Sequence, residues 1–213
     1  MIKAIIFDFD GVIAESVNVK TEAFALLYEP YGKDIVKKVV QHHLTNGGVS
    51  RFEKFKIYHK EFLNIDLNDQ KLQELSNHFS DLVVDKVIKA SYVPGAFEYI
   101  KVNHKKYSLY ISSATPQDEI KQIVKQRKIL DYFKGVYGSP ISKQEHVNKI
   151  IKLNKYKKNE VIFIGDSISD RNAANENNIR FIARINNGKS PLKDEMYKID
   201  DLVHLEDLIK SLN

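Results

Sequence analysis

Two aspartates one residue apart close the first apolar segment of the chain. Residues 5–7 are Ile-Ile-Phe, and Asp8, Phe9, Asp10 and Gly11 follow them directly. The apolar run predicts a strand buried on both faces, and the glycine gives the backbone the freedom for a sharp exit. Two carboxylates this close repel each other and favour a bound cation or a proton. An aspartate can also end a strand by bonding its own backbone, so the pair alone leaves both interpretations open.

A second apolar segment also ends in a pair of aspartates. Residues 161–165 lead into Asp166 and, four residues later, Asp170. An aspartate at the latter position often caps the following helix, but acidic pairs after two different strands weaken that interpretation. Oxygen ligands grouped in this way suit Mg²⁺, which takes one or two carboxylates together with phosphate oxygens and water.

Hydroxyl groups follow a third apolar segment, residues 108–112. Ser113 comes next, and Thr115 with Asp118 resembles a capping box for a helix whose first residue would be Pro116. A helix N-terminus together with a hydroxyl forms an anion site. We therefore predict that Ser113 contacts a phosphate and that Thr115 caps the helix.

Lys143 follows another apolar segment, residues 135–138, in a stretch that we predict as a loop. A lysine in a loop is usually a solvated surface residue. This lysine nevertheless falls at the same predicted edge of the sheet as the aspartates, so we keep it as a candidate site residue.

The elements that must position these residues alternate between strand and helix after residue 90. Strands are predicted at 108–112, 135–138, 161–165 and 180–184, and helices at 96–103, 117–127, 145–153 and 170–177. Alternating strands and helices indicate βαβ units and a parallel sheet, so the predicted fold class is α/β. Right-handed crossovers bring the carboxyl ends of the strands to one edge, where open α/β sheets bind ligands.

Residues 16–90 contain no convincing strand and are predicted to be helical. The helices are placed at 17–31, 33–44, 51–63 and 69–88. The chain is thus divided into a sheet domain, residues 1–15 and 91–213, and an inserted helical domain, residues 16–90. An insert directly after the first aspartate pair is well placed to act as a lid, although it could also serve only to bury apolar surface.

Composition narrows the function classes further. The 213 residues carry a formal net charge of +5, with lysines spread along the chain and no nucleic-acid recognition motif, so no nucleic-acid partner is expected. The chain has no cysteine, which excludes disulfides, thiolate catalysis and cysteine-ligated metals. It shows no signal peptide pattern and no run of about 18 apolar residues, so we expect a cytoplasmic protein without a membrane partner. A monomer or small homo-oligomer is expected.

In order along the chain, these motifs resemble those of the haloacid dehalogenase superfamily of phosphohydrolases. Residues 8–12 match its Asp-x-Asp-Gly-(Thr/Val) motif, and residues 165–170 match Gly-Asp-x-x-x-Asp. Ser113 matches the Ser or Thr at the end of a strand in the second motif, with Ser112 as the alternative register. Lys143 matches the lysine of the third motif. The helical insert is similar to the cap of the phosphoglycolate phosphatase and β-phosphoglucomutase branch. The resemblance implies a doubly wound, Rossmann-like core with an inserted α-helical cap.

The resemblance also implies a role for each aspartate. Asp8 would be the nucleophile that forms an aspartyl-phosphate. Asp10 would act as general acid and then general base, and its backbone carbonyl would bind Mg²⁺. Asp8 and Asp166 would be the other protein ligands of Mg²⁺, and Asp170 would support the metal or the lysine of the third motif. The implied function is a Mg²⁺-dependent phosphatase acting on a small phosphorylated metabolite.

The resemblance assigns the remaining polar residues to the substrate. Ser113 and Lys143 would bind the transferring phosphoryl group and stabilise its charge. A Gly-Val-Ser-Arg segment at 48–51 is similar to one in the cap of β-phosphoglucomutase. Arg51 is therefore a candidate for holding a second phosphate or a carboxylate, and a surface arginine beside a helix cap is the alternative.

Two other functions stay open at this level. A sugar-phosphate mutase of the β-phosphoglucomutase type is the nearer alternative, but its linker histidine has no equivalent, and Lys20 stands near that place. A non-catalytic phospho-acceptor or binding module also carries acidic residues at strand ends and a later lysine. Such a module needs neither an acid/base residue at Asp10 nor a lid, so a phosphatase is favoured.

Overall fold

The computed structural model describes residues 1–186 and 190–212 of the chain. Its strands are β1 (Ala4–Phe7), β2 (Ser108–Pro116), β3 (Gly135–Ser139), β4 (Val161–Gly165), β5 (Arg180–Arg184) and β6 (Lys198–Ile199). They form a six-stranded sheet in the order β3-β2-β1-β4-β5-β6, and every pairing is parallel. The prediction of an α/β fold with a parallel sheet is confirmed. The last strand and the extension of β2 to Pro116 were not predicted.

The helices fall close to their predicted positions. They are α1 (Val17–Tyr28), α2 (Lys33–Thr45), α3 (Arg51–Ile57), α4 (Asp69–Lys89), α5 (Ala96–Asn103), α6 (Gln117–Gln126), α7 (Lys143–Asn154), α8 (Ile168–Glu176) and α9 (Leu205–Ser211). A π-helical turn, Tyr58–Leu63, continues α3. The sequence analysis did not predict α9. Within the described residues, no helix is both long enough and apolar enough to span a membrane.

Both faces of the sheet are covered, as the apolar run of β1 predicts. Its residues alternate between two hydrophobic clusters, with Ile5 and Phe7 in one and Ala4 and Ile6 in the other. Residues of α5, α6 and α9 belong to the first cluster, and residues of α7 and α8 belong to the second. The sheet is therefore doubly wound, and β1 lies in its interior with the carboxyl end directed to the shared edge.

Residues 16–90, which contain α1 to α4, are called the helical insert. The chain enters and leaves it through two adjacent segments, because the Glu15 amide donates to the Ser91 carbonyl at 2.9 Å and the Val93 amide donates to the Ile13 carbonyl at 3.0 Å. Aromatic side chains pack inside the insert, with the Phe24 and Phe79 ring centroids 4.4 Å apart. This aromatic packing gives the insert a hydrophobic interior that is continuous with one of the sheet clusters.

Candidate active site

The carboxyl edge of the sheet brings the predicted site residues together. Asp8 follows β1, Asp166 follows β4, and Lys143 is the first residue of α7 after β3. The turn after β1 requires glycine at position 11, because its φ is +77° and a Cβ there would lie 2.1 Å from Asp166 Oδ2. The close approach of that turn to Asp166 brings the two acidic motifs to adjacent positions.

Lys143 lies between two carboxylates and is buried. Its Nζ is 2.9 Å from Asp8 Oδ2 and 2.6 Å from Asp170 Oδ1. Burial alone would lower the pKa of this lysine, but the two carboxylates outweigh burial and raise it. Lys143 was predicted in a loop, and the structure instead places it in the first turn of a helix with its ammonium beside the candidate nucleophile.

Asp170 supports the lysine and the start of α8. Its Oδ2 accepts hydrogen bonds from the Ser167 backbone amide at 3.1 Å and from the Ser167 hydroxyl at 2.5 Å, while Lys143 occupies Oδ1. This arrangement is a capping box at the N-terminus of α8. The sequence analysis left Asp170 between supporting the metal and supporting the lysine, and the hydrogen bonds favour the lysine.

Asp8 and Asp166 form the group that suits a divalent cation. One oxygen from each of Asp8, Asp166 and Asp170 lies within 4.8 Å of the others. Burial and the neighbouring Asp8 and Asp170 charges raise the pKa of Asp166. Burial and Asp170 raise the pKa of Asp8 to about 7, against the opposing effect of Lys143. Within the described part of the chain, the Asp166 carboxylate has neither a hydrogen bond nor an ion pair, so a bound Mg²⁺ would provide it with a partner.

The Asp10 carboxylate lies outside this group. Its Oδ1 accepts a hydrogen bond from the Ser16 hydroxyl at 2.6 Å, and its Oδ2 accepts one from Lys20 Nζ at 2.5 Å. Burial would raise the pKa of Asp10, but the charge and hydrogen bond of Lys20 outweigh it and lower the pKa. Ser16 and Lys20 therefore hold the Asp10 side chain in its ionised form, and the contact of its backbone carbonyl with Mg²⁺ stays a prediction.

The residues at the end of β2 differ from the prediction in one respect. Thr115 does not cap α6, because the residue before the helix is Pro116 and no side chain accepts a capping hydrogen bond there. The Thr115 hydroxyl instead accepts from Lys20 at 2.8 Å and donates to Asp10 at 3.4 Å. The capping prediction was wrong because β2 runs four residues further than its apolar segment, which carries the threonine into the site.

The two candidate serines have different partners. The Ser112 hydroxyl shares a hydrogen bond of 2.9 Å with His146 Nδ1, so it is engaged by α7. The Ser113 hydroxyl accepts from the Thr115 amide at 3.1 Å. This bond places Ser113 beside Thr115, within the stretch of β2 where the register shifts between Ser112 and Pro116. Its contact with a phosphate stays a prediction.

Arg51 occupies a buried position between the helical insert and α6. Its two terminal nitrogens donate to Glu119 at 3.0 and 2.5 Å, and one of them also donates to the Ser80 hydroxyl at 2.7 Å. The guanidinium carbon lies 4.5 Å from the centre of the Phe79 ring. The alternative of a solvated surface arginine is therefore wrong. Glu119 already neutralises Arg51 in this structure, which argues against a second anion there. The role of Arg51 in holding such an anion stays a prediction.

The insert and the sheet edge enclose a cavity of about 820 Å³, including its opening to solvent. Gly48 brings the insert close to the start of α8, since a Cβ at that glycine would lie 1.8 Å from the Ser169 hydroxyl. From the sequence, Lys20 was noted only as standing near the place of the mutase histidine. Lys54, which also lines the cavity, and Glu119, which binds Arg51, were missed because each lies within a helix and no local motif marks it.

Comparisons with known proteins identify the family and the fold. A family model described as haloacid dehalogenase-like hydrolase matches residues 5–184. A comparison with curated proteins finds no significant sequence match. Among solved structures, a β-phosphoglucomutase from Clostridium difficile is 22% identical, with a TM-score of 0.81, covering 100% of this chain and 97% of its own.

Two further solved structures share the fold. A predicted phosphoglycolate phosphatase from Haemophilus somnus is 14% identical, with a TM-score of 0.74 and 98% coverage of both chains. A HAD-type protein from Bacillus subtilis, described as bound to magnesium, is 16% identical, with a TM-score of 0.74, covering 98% of this chain and 99% of its own. The family model runs from within β1 to the end of β5 and includes the insert and both acidic motifs, so the chain belongs to the haloacid dehalogenase-like hydrolase family.

Proposed function

We propose that this protein is a Mg²⁺-dependent phosphatase that hydrolyses a small phosphorylated metabolite through an aspartyl-phosphate on Asp8. One observation carries the proposal. Lys143 bridges Asp8 and Asp170 on one side, while Asp10 is held on the other side by Ser16 and Lys20. A nucleophile, a cation for the phosphoryl group and a separate acid/base group are the components that phosphoryl transfer to a carboxylate requires.

Each of these side chains has a distinct task in the proposed reaction. Asp8 attacks the phosphorus, and the Lys143 ammonium beside it stabilises the charge on the phosphoryl oxygens. Asp10 donates a proton to the leaving oxygen and then removes one from the water that hydrolyses the aspartyl-phosphate. Because Lys20 keeps Asp10 ionised in this structure, Asp10 must take up a proton before it acts as the acid. Donation of that proton to the leaving oxygen restores the carboxylate, which then removes a proton from the hydrolytic water.

Magnesium fits the donor set at the sheet edge. Asp8 and Asp166 would hold it together with the backbone carbonyl of Asp10, and the lack of any partner for the Asp166 carboxylate among the described residues supports this assignment. When bound, the ion would neutralise the carboxylates and the phosphate so that their mutual repulsion does not oppose attack. Asp170 is left to position Lys143.

The helical insert would act as the cap of the site. Lys20 and Arg51 from the insert contact Asp10 and Glu119 respectively, so closure of the insert also assembles the environment of the acid/base group. A closed insert limits the access of water, which strengthens the electrostatic interactions inside the cavity. We further propose that the protein is cytoplasmic and a monomer or small homo-oligomer.

A sugar-phosphate mutase is the second candidate, favoured by the structural likeness to the Clostridium difficile β-phosphoglucomutase. Incubation of the purified protein and Mg²⁺ with a panel of phosphorylated metabolites separates the two. Release of inorganic phosphate supports the phosphatase, whereas conversion of a hexose 1-phosphate into its isomer without net release supports the mutase. If no compound in a broad panel yields either product, the proposed function is wrong.

A further inference from the structure

The cavity between the helical insert and the sheet edge is lined by cations that are not equally neutralised. The four cationic side chains are Lys20, Arg51, Lys54 and Lys143. Carboxylates lie within ion-pair distance of three of them, Asp10 beside Lys20, Glu119 beside Arg51 and Asp8 beside Lys143. Among the residues that the structure describes, no carboxylate lies within 4.0 Å of the fourth, Lys54. It is the cation in this cavity whose charge is left unmatched.

The groups in direct contact with the Lys54 ammonium are neutral, and the charges of Lys20, Asp10 and Lys143 act on it from further away. Its Nζ donates to His43 Nδ1 at 2.8 Å and to the Gly47 carbonyl at 3.5 Å, and it lies 5.5 Å from the centre of the Phe24 ring. Burial, the Lys54 charge and the Lys20 charge lower the pKa of His43, which keeps that ring uncharged. Because its imidazole accepts from Lys54, His43 orients the ammonium without compensating its charge.

Burial makes this arrangement costly. Lys54 is only 1% exposed, and a buried ammonium without a counterion loses its hydration without an equivalent gain. Burial and repulsion by Lys20 lower the pKa of Lys54 to about 7. An anion in the cavity would remove this cost, and the same cavity already contains the candidate phosphate site at the sheet edge.

We propose that Lys54 binds a second negatively charged group of the substrate, in addition to the phosphate that reacts with Asp8. The inference rests on the proposed function of this site and specifies its substrate class. That class consists of phosphomonoesters that also carry a carboxylate or a second phosphate. Arg51, which the sequence suggests for this task, is already neutralised by Glu119, while Lys54 lies one turn further along the same face of α3.

Matched ligand pairs test the proposal by binding. 3-Phosphoglycerate differs from glycerol 3-phosphate by a carboxylate, and glucose 1,6-bisphosphate differs from glucose 6-phosphate by a second phosphate. Dissociation constants are measured by titration calorimetry with Mg²⁺ in an Asp8→Asn background, which prevents turnover. We expect the ligand with the second anion to bind at least about tenfold more tightly in one of the pairs, as for a buried charge-assisted hydrogen bond.

Two variants test whether Lys54 causes the preference for the ligand with the second anion. Lys54→Met should remove the tenfold preference. Lys56→Met, on the exposed side of the same helix, should retain it, because Lys56 pairs with the exposed Glu53. Lys54→Gln serves as the second variant if the methionine variant does not fold. Equal affinities in both pairs, or a preference that survives the loss of Lys54, would overturn the proposal.

Turnover distinguishes this inference from the proposed function. Phosphate release by the wild-type protein is measured with the same four compounds and with p-nitrophenyl phosphate. A binding preference that depends on Lys54 without any phosphate release would contradict the phosphatase and leave the anion site in place. Phosphate release without a preference for the second anion would support the phosphatase and overturn the anion site.

Discussion

Arg51 of the helical insert and Glu119 of α6 form a bidentate ion pair that joins the insert to the sheet domain. The two nitrogen–oxygen distances are 3.0 and 2.5 Å, and both side chains are less than a tenth exposed, at 4% and 8%. Ser80, also in the insert, donates to Glu119 at 2.5 Å. The pair therefore couples the position of the insert to a single carboxylate on α6 of the sheet domain.

A double-mutant cycle on this pair should reveal strong coupling. Glu119→Ala leaves the guanidinium buried without its counterion and is expected to lower the free energy of unfolding by about 3 kcal/mol. In the Arg51→Met, Glu119→Ala double variant the loss should be smaller than the sum of the single losses by at least about 1 kcal/mol. Urea unfolding of the wild type, the two single variants and the double variant gives the four free energies of unfolding that the cycle needs.

The exposed ion pair of Lys60 with Asp66 is the matched control for this cycle. Its coupling energy should fall between about 0 and 1 kcal/mol, because solvent screens both charges. If the Arg51 and Glu119 effects simply add, the buried pair does not hold the insert in place.

Magnesium should stabilise the wild-type protein and stabilise Asp166→Asn much less. The substitution removes the carboxylate that lacks a partner and relieves its repulsion with Asp8, so without the metal the variant should be at least as stable as the wild type. At a Mg²⁺ concentration of about 100 times Kd, the wild type should gain about 2.7 kcal/mol. Thermal unfolding with and without Mg²⁺ measures this difference, and an equal gain in both proteins would remove Asp166 from the metal site.

The sequence predicted the sheet and the positions of the acidic motifs because these features are local. The apolar runs determine β1 and β4, and the aspartates that follow each run directly must lie at the carboxyl edge of the sheet. The contacts of Thr115 and Arg51 could not be predicted in the same way. Thr115 contacts Lys20, and Arg51 contacts Glu119. The two partners of each contact lie far apart in the sequence and meet only when the insert packs on the sheet domain.

The stability cost of Lys54 should depend on pH in a specific window. Its pKa is about 7 in the folded protein against 10.5 for an ordinary lysine. Between these values the unfolded chain binds more protons, so the wild-type protein gains stability relative to Lys54→Met as the pH rises from about 7 to 10. Below about pH 7 the two states are equally protonated and the cost is fully present.

Urea unfolding of the wild type and of Lys54→Met at pH 6, 8 and 9.5 tests this dependence. The stability difference between the two proteins should shift by about 1 kcal/mol or more across the series, since one unit of pKa corresponds to about 1.4 kcal/mol. A difference that is constant with pH would show that Lys54 is not desolvated in the folded protein.

Asp10→Asn should abolish most of the turnover while leaving the fold intact. Proton transfer by a positioned carboxylate contributes about 10²- to 10⁴-fold to the rate, and the amide cannot replace it. The kcat for phosphate release measures the loss, and Asp66→Asn on the exposed surface of the insert is the control. Full activity of the Asp10 variant would contradict the assignment of the acid/base group.

The covalent state of Asp8 during turnover tests the central claim most directly. The Asp10→Asn protein is mixed with Mg²⁺ and acetyl phosphate, whose good leaving group needs little acid assistance, then quenched in acid and digested for mass spectrometry. The account predicts a phosphorylated peptide that contains Asp8, because the attack is retained while hydrolysis of the intermediate is slowed. Absence of that peptide, together with phosphate release that persists in Asp8→Asn, would contradict the account.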